Sequence, residues 1–87
     1  MPQTANITSA TVLKAIGGRV LEVNVQVAGT GVGTINDCAT TGAASASNAL
    51  IATPNTAGPT SLALPVNFGL GIVVTPGTGQ TIGVMWE

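Results

Sequence analysis

The chain has 87 residues, and only five are charged: Lys14, Arg19, Glu22, Asp37 and Glu87, for a formal net charge of −1. Two cations cannot track a phosphate backbone, and one Phe, one Trp and no Tyr leave no platform for stacked bases, which argues against nucleic acid as a partner. With no histidine, one cysteine and carboxylates far apart in sequence, neither an intrachain disulfide, nor a zinc or calcium site, nor any other cofactor is expected.

The apolar residues come in short runs broken by 12 glycines and five prolines. None reaches the roughly 18 residues of a membrane span, so no membrane partner is expected. The opening Met-Pro-Gln-Thr lacks the basic and apolar regions of a secretory signal, and synthesis in a cytoplasm is the expectation. A soluble monomer of 8.5 kDa exposes roughly 4,700 Å². On a free surface roughly a quarter to a third of the residues are charged. Five charges are sparse by that measure, so this exterior is read as one built to be covered by neighbours. A single small core is only marginally stable alone, which again points to an oligomer.

In chain order, 1–9 reads as an extended N-terminal arm and 10–87 as a single β domain. Thr11 to Ile16 is a predicted strand, Gly17-Gly18-Arg19 a turn, and Val20 to Val27 a second strand. The second strand alternates cleanly, with Leu21, Val23, Val25 and Val27 on one face and Glu22, Asn24 and Gln26 on the other. Read as a hairpin, a three-residue turn sets Lys14 opposite Glu22 and Leu13 opposite Val23, an opposite-charge pair outside and an apolar pair inside. A glycine-rich loop follows over 28–33, then a short strand to Asp37.

Cys38 to Ala46 is a low-complexity run without an apolar stripe, read as a surface loop or a loose strand. Further strands are predicted over Asn48 to Thr53, Ser61 to Val66, Leu70 to Thr75 (buried on both faces) and Gln80 to Trp86. Turns are expected at 54–59 and at Pro76-Gly77-Thr78-Gly79. Seven or eight short strands with Gly/Pro turns between them indicate an all-β, antiparallel sandwich or barrel.

Motifs that carry chemistry are few. Gly29-Thr30-Gly31-Val32-Gly33 lacks the Gly-Lys-Ser/Thr ending of a phosphate loop and no helix pattern follows it, so it reads as a connection between strands. Cys38 follows Asn36-Asp37, and a neighbouring carboxylate raises a thiol pKa, so Cys38 reads as structural rather than nucleophilic, with an intermolecular disulfide between symmetry-related copies as the secondary reading. Asp37 reads as a residue that hydrogen-bonds backbone amides near a strand end. Asn6-Ile7-Thr8 matches a glycosylation pattern by chance in a chain without a secretory signal. Trp86 is expected in the core beside Ile82 and Val84, with a subunit-interface anchor as the alternative. No enzyme and no small-molecule substrate are expected.

The runs Val-Asn-Val-Gln-Val-Ala-Gly-Thr, Gly-Thr-Ile-Asn-Asp, Ile-Ala-Thr-Pro-Asn-Thr-Ala-Gly-Pro and Gly-Ile-Val-Val-Thr-Pro-Gly-Thr-Gly-Gln-Thr-Ile-Gly-Val carry a resemblance. From about Thr11 to Trp86 the chain resembles small virion structural proteins of tailed bacteriophages, a group of short β-sandwich head-decoration or head-fibre proteins. The resemblance implies a structural role on a phage particle, with a jelly-roll-like antiparallel β-sandwich in an oligomer, and does not fix which part of the particle; the capsid surface of the virion is the expected location. The expected function is a head decoration (cement) protein that binds itself as a homotrimer and binds the phage major capsid protein. The arm residues Met1, Pro2, Gln3, Thr4, Ala5, Asn6, Ile7, Thr8 and Ser9 are candidates for the capsid contact, and Val20, Val32 and Trp86 for the subunit interface. The alternatives are a receptor- or glycan-binding fibre tip and a self-assembling surface filament subunit, the latter using unpaired strand edges.

Overall fold

The computed structural model describes residues 3–59 and 65–87. Among the described residues there are nine strands: β1 Gln3–Ile7, β2 Thr11–Lys14, β3 Gly18–Val27, β4 Gly33–Asn36, β5 Ala49–Thr53, β6 Gly58–Pro59, β7 Val66–Phe68, β8 Ile72–Thr75 and β9 Thr81–Trp86. Single 3-10 turns at Thr41–Ala43 and Ala46–Asn48 are the only helical backbone among the described residues. The predicted strand over Ser61 to Val66 falls mostly outside those residues.

The pairings are nested. Strand β1 lies antiparallel to β9, β2 to β8, β3 to both β7 and β6, and β4 to β5. The chain is thus a long antiparallel ribbon doubled back on itself, with the 38–48 segment at its bend. Winding this ribbon brings β9 against β3 and β8 against β4, which closes two sheets in the orders β1-β9-β3-β6 and β2-β8-β4-β5. This is a jelly-roll sandwich of antiparallel strands, the architecture that the resemblance implies.

Between the sheets sits one cluster of β-branched and aromatic side chains: Ile7, Val20, Val23, Ile35, Ile51, Phe68, Ile72, Val74, Ile82, Val84 and Trp86. Branching at Cβ suits the pleated, half-buried surface that each strand provides. Ile72, Val73 and Val74 are all fully buried, as the continuous apolar run predicts, whereas Leu70, at the start of the predicted strand, lies outside β8 and is exposed.

Two expectations about β2 and β3 fail, both for reasons of pairing. The Thr11–Ile16/Val20–Val27 hairpin does not form: β2 and β3 part at Gly17 into different sheets, so Lys14 pairs in register with Ile72 and Glu22 with Met85. The strict alternation of β3 is also broken. Its register against β9 skips at Leu21 and again at Gln26, each an extra residue accommodated as a bulge. Val20, Val23 and Val25 are therefore buried, Leu21 is half-buried, and Val27 is 52% exposed.

Candidate functional site

The outer face of the β1-β9-β3 sheet carries the most built-up set of polar side chains. Register places Asn6, Gly83 and Asn24 in one lateral row and Thr4, Met85 and Glu22 in the next, with Gln26 beyond. These residues line a depression of about 160 Å³. Its floor is Gly83. A Cβ there would stand 2.9 Å from Gln26 Nε2 and 3.5 Å from Asn6 Oδ1, so the absence of a side chain leaves the space open.

None of the side-chain hydrogen bonds among the described residues engages Thr4, Asn6, Glu22, Asn24 or Gln26. Three carboxamides, a hydroxyl and one carboxylate therefore face the depression with their donors and acceptors unengaged. The sequence shows the polar face of β3. It does not show that Asn6 and Gly83 join it, since only the register of three strands distant in sequence assembles the row.

The glycine-rich segments have another use. The Thr30 N–H donates to the Thr78 carbonyl at 2.8 Å, and a Cβ at Gly29 or at Gly77 would lie 2.2 Å from the carbonyl oxygen of Thr78 or Gly31. The two loops lie backbone on backbone, and glycine is what permits the approach. In the 77–80 turn the Gln80 N–H donates to Gly77 O at 3.0 Å, with Gly79 at φ +76°, as the third position of a type II turn requires.

Beneath these loops Gln80 is buried and engaged by three hydrogen bonds. Its Oε1 accepts from Thr53 Oγ1 (3.2 Å) and the Gly77 N–H (2.9 Å), and its Nε2 donates to the Pro54 carbonyl (2.9 Å). Thr53 Oγ1 in turn accepts from the Gly33 N–H at 3.0 Å. This polar plug seals one end of the apolar core.

At the other end Asp37 acts as a hydrogen-bonding residue, as read from the sequence. Its carboxylate accepts from the N–H groups of Leu70 (2.7 Å), Gly69 (3.2 Å) and Gly71 (3.3 Å). The Leu70 bond foremost, with those of Gly69 and Gly71, holds the Asp37 carboxyl below the ordinary aspartate range, against a smaller upward push from desolvation. Cys38 is buried, with its Sγ donating to the Thr40 carbonyl at 3.4 Å. Among the described residues no three of His, Cys, Asp and Glu come together as a metal-ion cluster.

The charges are distributed unevenly. Lys14, Arg19, Asp37 and Glu87 lie where β2 and β4 end, β3 begins and β9 ends, and Glu22 is a few residues along β3 from that end. The opposite end, built from the connections 8–10, 28–32, 54–57 and 76–80, holds no charged residue. Ile16 and Leu70 stand exposed at the charged end and Val27 and Val32 at the uncharged one, so the ends differ in charge rather than in apolar exposure.

The expected site residues are thereby placed. Val20 is fully buried and Trp86 is 7% exposed, and the two are register partners inside the core. Neither has surface to offer a neighbouring subunit; the core reading of Trp86 beside Ile82 and Val84 holds. Val32 is 64% exposed. Met1 and Pro2 lie outside the described residues. Gln3 to Ile7, read as an arm, are strand β1, with Ile7 in the core and Ala5 packed against it, while Thr8 and Ser9 are exposed. No protein-family model, no curated protein and no solved structure matches this chain.

Proposed function

We propose that this chain is a non-enzymatic phage virion structural protein, a head decoration (cement) protein that binds the major capsid protein as a homo-oligomer on the capsid surface. The observation that carries the reading is the uncharged end of the sandwich, which exposes Val27 at the end of β3 and Val32 on a loop whose backbone is held against the 76–80 connection. Such a surface has little to lose when a neighbour covers it: no charge must be desolvated, and apolar area leaves water at about 25 cal/mol per Å². A jelly-roll sandwich with short connections supplies a rigid block for bridging shell subunits, and the resemblance to head-decoration proteins agrees with this use.

Contact through an uncharged surface is insensitive to ionic strength, which separates it from charge-steered adhesion. Purified protein added to undecorated heads is expected to bind at micromolar concentration, to raise their melting temperature, and to stay bound in high salt. Val32→Asp should weaken binding at least tenfold while leaving the fold intact. No binding at micromolar concentration overturns the proposal.

A further inference from the structure

We infer that the depression over Gly83 is a binding site for a neutral, hydroxyl-rich ligand, a single sugar ring of a surface glycan. It lies on the outer face of the β1-β9-β3 sheet, a different surface from the loops 28–32 and 76–80.

The ligand class follows from the chemistry of the lining. Asn6, Asn24 and Gln26 each present a carbonyl acceptor and an NH₂ donor, Glu22 presents a carboxylate and Thr4 a hydroxyl. Vicinal hydroxyl groups, which both donate and accept, are the natural complement to that mixture. No cation lines the depression, which disfavours phosphate, sulfate or carboxylate ligands. Glu22 is the single carboxylate, too few hard oxygen charges to hold a divalent ion.

The apolar part of the lining is Ala5, Val84 and Met85, and Met85, in the row beside Gly83, can pack against the C–H face of a ring. The volume of about 160 Å³ is comparable to the ~150 Å³ cavity that takes one benzene ring, which suits one ring rather than a chain of them.

Gly83 provides a test that separates binding from folding. A methyl group at this position meets the far end of the Gln26 side chain, which can swing aside, so Gly83→Ala should fold and keep the melting temperature of the parent. The methyl would nevertheless occupy the floor of the site.

Saturation-transfer NMR against a panel of neutral methyl glycosides should show millimolar binding of at least one by the parent protein. Gly83→Ala should lose it at least tenfold, and Gln26→Ala, an exposed substitution that leaves the core untouched, should weaken it several-fold. If no glycoside in the panel binds, or if both variants bind as tightly as the parent, the site is not a sugar site. Neither result bears on attachment to heads, which is read separately through Val32.

Discussion

Arg19 and Glu87 exchange two backbone hydrogen bonds, each 2.9 Å, and the same rung carries an ion pair between their side chains. The rung extends the β3–β9 ladder one step beyond the buried Val20–Trp86 pair. The pairing thus lies directly against the largest aromatic side chain of the core.

The two neighbouring rungs should differ sharply in energy. The Arg19 and Glu87 side chains are 49% and 23% exposed, and such a pair contributes about 0–1 kcal/mol. Arg19→Ala should therefore shift a urea midpoint only slightly. Trp86→Ala empties a core position and should cost about 3–5 kcal/mol, enough to unfold much of a small domain at room temperature. Urea titrations of the two variants followed by far-ultraviolet circular dichroism, which does not depend on the single Trp, decide it.

Asp37 gives stability a defined pH dependence. Its folded pKa lies below the ordinary 3.8, so its contribution is fully present above that value and is lost as pH falls through the folded pKa. Asp37→Asn should cost about 1 kcal/mol near neutrality by weakening the bonds from Gly69, Leu70 and Gly71. The gap between parent and variant should close as the solution is acidified below the ordinary value. Denaturant titrations at neutral and strongly acidic pH measure it.

Gln80 should be intolerant even of a close mimic. Gln80→Glu sets a carboxylate oxygen against the Pro54 carbonyl, where an amide N–H donates in the parent protein. Burial and that carbonyl both favour the protonated acid, so the folded pKa of the new group is raised. The variant should be destabilised by about 1–3 kcal/mol near pH 7 and should regain stability as the pH is lowered. Gln80→Leu leaves the Gly77 N–H and the Pro54 carbonyl without their partner at every pH, and its deficit should not recover.

Cys38 should behave as a closed thiol. It is 3% exposed and its neighbours are tied down, Asp37 to 69–71 and Asn36 to Ser45 and Asn48. Reaction with an aromatic disulfide reagent should be slow in the native protein and should reach one thiol per chain in denaturant. Asp37→Asn should speed the native reaction by loosening the adjacent loop.

The fold class was legible because short apolar runs between Gly/Pro turns are a local signal. Strand β8 was the clearest, its Ile-Val-Val run marking a strand buried on both faces. What escaped was the pairing. Gly17-Gly18-Arg19 has the composition of a tight hairpin turn, yet it is a crossover between sheets, and composition alone does not distinguish the two. The bulges at Leu21 and Gln26 exist only relative to β9, so no pattern within β3 reveals them. Asp37 could be read as a cap, but its partners are more than 30 residues away. The groove needed Asn6, Asn24 and Gly83 to be brought side by side, which is a property of the winding.

The nested ribbon also sets an order of assembly. Closing β4 on β5 spans a short stretch of chain, whereas laying β1 on β9 requires nearly the whole polypeptide to be in place, so zipping should proceed from the bend outward and β1 should dock last. Thr4 and Asn6 arrive with that final strand. The recess around Gly83 is then a feature of the finished molecule alone, and a chain caught halfway through winding has no such surface to offer.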